Sequence, residues 1–373
     1  MLRRMTAVGL VCAISLLACR AVLGIEDWPG DAASASDGAV EGDTYAPTLL
    51  AGNLGAPHGI LVNGASFYVA ESGGTNVYTG SKVDGGYTVF APALLGPDRL
   101  ATDGNTLFWT DDVNLPGSSM DPAGAVYTGP STFCTNQAAC FLASDLPAPY
   151  GIAVQGSTVF FTTVGSTNNS GSGCPTTAWV GSVLSCPTTG SCAVTGCAMD
   201  AGGPKAIATQ QTQLRGIAAD ETNVYWADPG DHVVRFCSQP NCLEGAQTFA
   251  MNVGSPFDVV SNGTTVFFTD RTGNLYACPT TGCGSAQPTP LASGLTDPLL
   301  VAVDSKNVYV TLYAGGAIAW CLLPSCVGGP TMLATGRNHP YGIVSDGTYI
   351  YWTEEGSSGP TSTDGAVYKL RIQ

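Results

Sequence analysis

The chain has 373 residues, of which 48 are Gly, 24 are Pro and 44% are hydrophobic, while only 11% carry charge. This composition is too apolar for a disordered chain and too rich in Gly and Pro for a helical one, so it favours an all-β class. The net charge of −15 argues against binding of nucleic acid or anionic lipid through charge. It leaves cations, metal ions, basic partners and neutral glycans open.

The first residues have the pattern of an export signal rather than of a folded segment. Arg3 and Arg4 form a basic region, an apolar stretch runs to Ala18, and Cys19 follows. This end resembles the lipobox of bacterial lipoproteins, in which the cysteine becomes the lipidated first residue after cleavage. We therefore predict a signal peptide over residues 1–18 and lipidation of Cys19. An ordinary secretory cleavage site nearby is the alternative.

Residues 19–44 place acidic side chains among Ala, Ser and Gly and offer nothing that could pack a core, so they are expected to form a solvated tether. The position after Cys19 is Arg20 and not the Asp that, by the enterobacterial rule, retains a lipoprotein in the inner membrane. We expect a protein of the bacterial cell envelope, on the periplasmic or cell-surface side of the outer membrane. Its membrane contact would be through the lipid anchor only.

A unit of four short apolar runs recurs seven times over residues 45–373. The second run carries adjacent aromatic residues, as in Tyr225-Trp226 and Tyr351-Trp352. Since adjacent residues of a strand point to opposite faces, one aromatic should pack on the preceding unit and one on the following unit. Four strands per unit predict an all-β fold, a seven-bladed β-propeller of four-stranded antiparallel blades.

Asp-Gly and Asn-Gly pairs follow the first run of most units, as in Asp103-Gly104 and Asp346-Gly347. They predict tight hairpins in which both central residues have positive φ. The last unit stops near Leu370 after its third run, and the missing run appears at residues 47–52. The N-terminal strand should therefore close the last blade and leave no free sheet edge.

The repeat resembles the NHL, YWTD and virginiamycin-B-lyase-like group of propellers over essentially all of residues 45–373. Several of these families have six blades, whereas this sequence predicts seven. The overall format also resembles the uncharacterised lipoprotein propellers of myxobacteria. The matching segments are Pro57-His58-Gly59-Ile60, Pro149-Tyr150-Gly151-Ile152, Phe108-Trp109-Thr110-Asp111 and Tyr351-Trp352-Thr353-Glu354.

Of the 14 cysteines, Cys12 leaves with the signal and Cys19 would carry lipid, so twelve remain in an exported chain. Five pairs recur in phase with the repeat and are predicted to form disulfides across a hairpin; zinc binding would need two pairs to converge from different blades. Cys174 and Cys197 pair together or exchange partners with one in-phase pair. The five pairs are Cys134/Cys140, Cys186/Cys192, Cys237/Cys242, Cys278/Cys283 and Cys321/Cys326.

The loops that enter the first run of each unit should surround one end of the central channel. Their residue types differ from unit to unit, whereas a purely structural ring would tend to repeat one type. We predict a ligand site there, and the long loops 111–123, 163–180 and 354–364 are further candidates. The candidate residues are His58, Asp98, Arg99, Tyr150, Arg215, Phe257, Asp258, Leu299, His339 and Tyr341.

Two acidic pairs, Asp111-Asp112 and Glu354-Glu355, are candidate oxygen ligands for Ca²⁺ or Mg²⁺, with solvated surface acids as the alternative. No other cofactor is expected. His58 lies where the related lyases place functional histidines. General acid–base chemistry would use His58 or His339 with Glu71.

The sequence lacks the nucleophile-elbow, zinc-protease and phosphate-loop motifs. We therefore expect a monomeric, lipid-anchored binding or scaffold module for protein or glycan partners at its loop face. A metal-dependent propeller lyase or hydrolase is the alternative.

Overall fold

The computed structural model describes residues 46–112, 124–130, 140–165, 180–190, 192, 203–239, 242, 244–284, 287–357 and 363–372. Within these ranges the chain forms 28 β-strands, arranged in seven four-stranded antiparallel sheets, and no helix. The predicted seven-bladed β-propeller is confirmed. Over the same ranges there is no helical segment with the length and apolarity needed to cross a bilayer.

Each blade contributes one strand to each of four concentric positions, and the strands are numbered in chain order. The innermost strands are β2 (Pro57–Asn63), β6 (Pro97–Thr102), β10 (Pro149–Gln155), β14 (Ile217–Ala219), β18 (Pro256–Ser261), β22 (Pro298–Val303) and β26 (Pro340–Ser345). The second strands are β3 (Ser66–Glu71), β7 (Thr106–Asp111), β11 (Thr158–Gly165), β15 (Asn223–Asp228), β19 (Thr265–Asp270), β23 (Asn307–Leu312) and β27 (Tyr349–Glu354).

The two outer positions complete the blades. The third strands are β4 (Val77–Ser81), β8 (Gly124–Pro130), β12 (Val180–Pro187), β16 (Val233–Ser238), β20 (Asn274–Pro279), β24 (Ala317–Leu322) and β28 (Gly365–Arg371). The outermost strands are β5 (Gly85–Ala91), β9 (Phe141–Leu146), β13 (Lys205–Gln211), β17 (Gln247–Ala250), β21 (Pro290–Ser293), β25 (Thr331–Ala334) and β1 (Thr48–Leu54).

The ring is closed by the N-terminal strand, as the sequence predicts. Strand β1 pairs antiparallel with β28 and becomes the outermost strand of blade 7, with Thr48 opposite Lys369 and Leu49 opposite Tyr368. Leu50 points into the core with 6% exposure, while its neighbour Leu49 is 55% exposed. The pairing covers the outer edge of β28, which would otherwise be open to another chain.

The aromatic pair on the second strand of six blades fills the space between blades, and blade 6 has Tyr309-Val310 at this place. In blade 2, Phe108 packs in one cluster with Phe161 of blade 3, and Trp109 packs in another with Tyr68 of blade 1. Both Phe108 and Trp109 are fully buried. The prediction that the two members face opposite neighbours is confirmed, and the aromatic pairs belong to the core rather than to a ligand surface.

The Asp-Gly hairpins differ in one respect from the sequence expectation. Only the glycine takes positive φ, 95° at Gly104 and 81° at Gly347. The aspartate instead accepts backbone N–H groups with its side chain: Asp103 Oδ1 lies 2.9 Å from the amide nitrogen of Asn105 and 2.7 Å from that of Thr106. The prediction of two positive-φ residues is wrong here, because this side-chain cap supports a three-residue connection and removes the need for a second left-handed residue.

A threonine at the end of the second strand joins five blades to the next blade. Its hydroxyl accepts a backbone N–H of its own innermost strand and donates to a carbonyl of the following blade. Blades 1 and 4 have Ala70 and Ala227 at this position. Thr110, Thr162, Thr269, Thr311 and Thr353 donate to the carbonyls of Tyr150, Arg215, Leu299, Tyr341 and His58 at 3.0, 2.8, 2.6, 2.8 and 2.9 Å, respectively.

Four of the predicted disulfides are present: Cys186–Cys192, Cys237–Cys242, Cys278–Cys283 and Cys321–Cys326. Each starts on a third strand and spans the turn that leads to the outermost strand. Cys140 is also disulfide-bonded; its predicted partner Cys134 lies outside the described residues, as do Cys174, Cys197 and Cys19. Disulfides form and persist in oxidising compartments, so these bridges indicate an extracytoplasmic environment.

Candidate functional site

All seven innermost strands begin at the same end of the channel, because each blade is an antiparallel meander that the chain enters at the innermost strand. In five blades the threonine hydrogen bond also fixes the blade against the next one. One residue from each blade, close to the start of its innermost strand, forms a ring that we call the mouth ring. Most of its members follow a proline that starts the strand, as in Pro57-His58 and Pro97-Asp98. The mouth ring consists of His58, Asp98, Tyr150, Arg215, Phe257, Leu299 and Tyr341.

His58 and Asp98 are paired in the mouth ring. His58 Nδ1 lies 3.2 Å from Asp98 Oδ1, and the imidazole stacks on Tyr341 with ring centroids 3.8 Å apart. Asp98 is 6% exposed. Burial alone would raise the pKa of Asp98, but His58, Arg99 and Arg215 outweigh it and hold this pKa below its ordinary value. The carboxylate is thus kept charged by the cations around it.

Two tyrosines from blades 3 and 7 meet across the channel. The hydroxyls of Tyr150 and Tyr341 lie 3.0 Å apart, and Arg99 Nη2 donates to the Tyr150 hydroxyl at 2.6 Å. The Arg99 guanidinium also lies over the Tyr341 ring, 5.3 Å from its centroid. Burial raises the pKa of both tyrosines, so their hydroxyls stay protonated.

Arginines on aromatic rings extend this cluster around the mouth. The guanidinium of Arg215 lies 5.1 Å from the centroid of Tyr150, and that of Arg271 lies 5.4 Å from the centroid of Phe257. Cation–π contacts of this kind hold a guanidinium in place while leaving its edges free to donate. Arg271 is also held by Asp297, at 2.6 and 2.7 Å.

A cavity of about 170 Å³ lies in the channel below the mouth ring. It is lined by the residues that follow the mouth-ring positions by one to three places, rather than by the mouth ring itself. Arg99 and Asp258 are its charged lining residues, and the rest of its lining is glycine and aliphatic side chains. Asp258 Oδ2 accepts the Val301 N–H at 3.1 Å. Burial raises the pKa of Asp258, while Arg99 opposes this rise.

The structure brings nine of the predicted candidates together in the mouth ring and the cavity, and it places two, His339 and Glu71, elsewhere. His339 lies at the rim, where Nδ1 is 3.0 Å from the Gly356 carbonyl oxygen and the ring is 4.9 Å from Tyr313. Glu71 accepts the Gly55 N–H at 2.6 Å, so it caps a loop of its own blade. Phe257 packs edge-on against Tyr150, 6.1 Å away.

Two rim residues, Arg271 and Tyr313, were not singled out in the sequence. Tyr313 is 6.1 Å from Tyr341 between ring centroids, and its hydroxyl donates to Glu355 Oε2 at 2.5 Å. Both follow the second strand of their blades directly. Both lie in short loops that face the channel mouth, and this position in the repeat could have identified them from the sequence.

The acidic candidates for a metal site have protein donors in the structure. Asp111 accepts the N–H groups of Leu95 and Gly96, with Oδ1 2.5 Å from the Gly96 nitrogen. Glu354 accepts from Arg337 Nε at 2.6 Å and from Trp352 Nε1 at 2.9 Å. The residues that the structure describes contain no group of three or more His, Cys, Asp or Glu side chains arranged to hold a metal ion. A Ca²⁺ or Mg²⁺ site stays a prediction.

The long loops that were predicted as binding elements are described only in part. Residues 113–123, 166–179 and 358–362 lie outside the described residues. Asp364, which is described, accepts the Ser357 N–H at 2.9 Å and so joins the two described ends of the third of these loops.

No protein-family model matches the chain, and no curated protein matches it in sequence. Solved structures are similar in fold. Virginiamycin B lyase from Staphylococcus aureus superposes with a TM-score of 0.61 at 13% identity, covering 88% of this chain and 99% of that one. A streptogramin B lyase gives 0.59 at 10% identity, covering 88% and 100%. The WD40 repeats of RRP9 give 0.61 at 13% identity, covering 88% and 97%.

These comparisons define the class of the protein. It is a β-propeller whose structural neighbours include both virginiamycin-B-lyase-like and WD40 propellers. At such identities the likeness shows the fold alone, since one propeller scaffold carries unrelated activities.

Proposed function

We propose that this protein is a lipid-anchored binding module of the bacterial cell envelope that holds a protein or glycan partner on its mouth face. In this format it resembles the lipoprotein propellers of myxobacteria. Its disulfides support an extracytoplasmic location. The signal peptide, Cys19 and the acidic tether enter as proposals from the sequence, because they lie outside the described residues.

One observation carries the binding role. The core positions repeat from blade to blade, as the threonines and aromatic pairs do, but the mouth ring has six residue types in seven positions. These side chains form one connected cluster in which Arg99 and Arg215 stack on Tyr150 at 4.8 and 5.1 Å. Arginine and tyrosine dominate the hot spots of protein interfaces because they combine large contact area with directed hydrogen bonds.

The binding role is tested on the mouth face directly. The propeller, immobilised in oxidised form, would be probed with a glycan array and with solubilised envelope proteins, and bound partners would be titrated against Arg215→Ala and Tyr313→Ala. Hot-spot residues cost about 2 kcal/mol or more, so we expect affinity to fall by at least about tenfold.

Lys306→Ala is the matched control, because Lys306 is exposed on a turn at the opposite end of the strands. Partners that are retained equally by the mouth variants and by this control would overturn the proposal.

The anchor is tested separately. Metabolic labelling with a fatty acid and detergent phase partitioning should place the wild-type chain in the membrane fraction, and Cys19→Ala should release it to the soluble fraction. A Cys19→Ala chain that still partitions with membranes would contradict lipidation at this residue.

The pairing of His58 with Asp98 favours a second candidate, a propeller lyase or hydrolase. A carboxylate on Nδ1 orients an imidazole so that Nε2 can act as a base, and the Tyr341 stack fixes the ring plane. Activity on esters, lactones or glycosidic bonds that disappears in His58→Ala but persists in His232→Ala would support it. Elemental analysis of the purified chain tests its predicted metal dependence.

A further inference from the structure

We propose that the channel cavity below the mouth ring binds a small zwitterion, an α-amino acid with a short aliphatic side chain, whose carboxylate meets Arg99 and whose ammonium meets Asp258. This goes beyond the proposed function, which concerns macromolecular partners on the mouth face, and neither proposal depends on the other.

The residue that follows the mouth-ring position differs in type between the blades. This residue is glycine in four blades, where a Cβ would collide with the next blade. It would lie 2.3 Å from the Asp98 carbonyl oxygen at Gly59, 2.6 Å from that of Arg215 at Gly151, and 2.1 Å from that of His58 at Gly342. The scaffold therefore requires a small residue in these four blades.

Two other blades place opposite charges at this same position. Blade 2 has Arg99 and blade 5 has Asp258, and both line the cavity. Gly216 of blade 4 leaves the room that the Asp258 carboxylate occupies, because a Cβ on Gly216 would lie 2.3 Å from Asp258 Oδ1. The two charged residues thus come from separate blades and line the same cavity.

Arg99 and Asp258 do not satisfy each other. In the described part of the chain they form no ion pair with each other. Arg99 is instead paired with Asp98 at 3.7 Å and donates from Nη2 to Tyr150, while its Nε is buried without a hydrogen-bond partner. The Asp258 side chain accepts backbone N–H groups, that of Val301 on Oδ2 and that of Val259, but it has no cation paired with it among the described residues. A ligand carboxylate would give Arg99 Nε the hydrogen bond that it lacks, and a ligand ammonium would pair with the buried Asp258 carboxylate.

The volume and the lining of the cavity determine which ligand side chain fits. A cavity of about 170 Å³ is close to the engineered protein cavity of ~150 Å³ that accommodates benzene. The remaining wall is aliphatic, with Ile60, Ile152 and Ile343 among its residues. A zwitterion with the bulk of alanine or valine matches both the charges and the walls, whereas an aromatic amino acid exceeds the space.

The wild-type propeller tests this with a ligand panel. Isothermal titration calorimetry and thermal unfolding would compare alanine and valine with isobutyrate, isopropylamine and tryptophan. Since hydrogen bonds to charged groups are the stronger ones, we expect the single-charge analogues to bind at least about tenfold more weakly than the amino acids. Tryptophan should not bind.

Substitutions test which residue binds the ligand carboxylate and which binds its ammonium. Arg99→Met and Asp258→Asn should each weaken valine binding by at least about tenfold. Asp258→Asn keeps an oxygen for the Val301 N–H, so it is the variant best suited to fold normally. The matched controls are Arg271→Met and Asp297→Asn, which break an arginine–aspartate pair on the same face outside the cavity. These controls should bind valine as the wild type does.

The panel remains decisive even if Arg99→Met fails to fold, because it is measured on the wild-type chain. A cavity that holds water only would give no heat and no stabilisation with any amino acid, and that result would overturn the proposal. Equal binding of isobutyrate and valine, or full valine binding by Asp258→Asn, would overturn it as well. A mouth-face partner that binds with no amino acid present leaves the proposed function standing in either case.

Discussion

The imidazole of His58 and the phenol ring of Tyr341 lie parallel, 3.8 Å between centroids and 3° between planes, although they come from the first and last blades of the ring. Thr353 donates to the His58 carbonyl at 2.9 Å across the same boundary. Strand β1 completes blade 7, and its Leu50 packs in one cluster with residues of blade 1 across this boundary, so we expect ring closure to support the contact.

Ring closure should depend on Leu50 and not on its neighbour. Leu50 is 6% exposed in the core cluster between blades 7 and 1, whereas Leu49 is 55% exposed. Leu50→Ala should lower the free energy of unfolding by about 2–5 kcal/mol, from lost burial and a residual cavity. Leu49→Ala should change it by less than about 0.5 kcal/mol. Urea unfolding measures both.

The pair of leucines also tests the register of β1. A shift by one residue would exchange the buried and exposed positions, so a larger effect from Leu49→Ala would contradict the observed pairing. A loss of His58–Tyr341 stacking in Leu50→Ala, seen in the aromatic NMR shifts of His58, would show directly that closure positions the mouth ring.

Much of the fold could be predicted because its signals are local and repeated. Aromatic pairs such as Phe108-Trp109 mark six of the seven second strands, and the offset run at residues 47–52 indicates a closed ring. The Asp-Gly pairs marked hairpins correctly, but their turn geometry differed, since the Asp103 side chain caps the connection. Cross-blade contacts leave no such local signal.

The site could be predicted only as a list of residues, and the reason is geometric. Position in the repeat placed His58, Asp98 and Tyr341 at one end of the channel, but their distances depend on blade tilt and on how many blades close the ring. The carboxylates of Asp111 and Glu354 looked like surface ligands in the sequence. Their burial and their backbone donors became visible only in the folded chain.

The threonine that joins neighbouring blades should contribute measurably to stability. Thr353 Oγ1 accepts the Gly342 N–H at 2.8 Å and donates to the His58 carbonyl at 2.9 Å. Thr353→Val keeps the shape and leaves two buried polar groups unsatisfied, so unfolding free energy should fall by about 1–3 kcal/mol. Thr348→Val, on an exposed turn of the same blade, is the control and should have little effect. Equal effects would argue against the interblade role.

The hairpin disulfides should each act locally and modestly. Cys321 and Cys326 enclose a short loop, and the loop-entropy relation gives about 2 kcal/mol for closing it. The double substitution Cys321→Ser with Cys326→Ser should lower the unfolding free energy by about that amount while the ring stays folded. Peptide mapping under non-reducing conditions should recover the four observed pairs. A different connectivity, or loss of the whole fold in this variant, would contradict independent pinning of the turns.

The two channel aspartates should act on acid stability with opposite signs. The pKa of Asp98 is lowered in the folded state, since His58, Arg99 and Arg215 outweigh burial. Its stabilisation is complete above the ordinary carboxyl pKa of about 3.9 and is lost as the pH falls through the lower folded pKa. The pKa of Asp258 is raised by burial, against Arg99. Its contribution is complete below about pH 3.9 and is lost as the pH rises through the folded pKa.

Substitution separates these contributions. Asp98→Asn removes a group whose protonation disfavours the folded state, so the loss of stability on acidification should become shallower than in the wild type. Asp258→Asn removes a group whose protonation favours the folded state, so the same loss should become steeper. Denaturant unfolding at a series of pH values from 2 to 6 measures both slopes, with Asp103→Asn on an exposed hairpin as the control. Slopes that change in the same direction would show that the two carboxylates do not sit in the opposed electrostatic environments that the channel gives them.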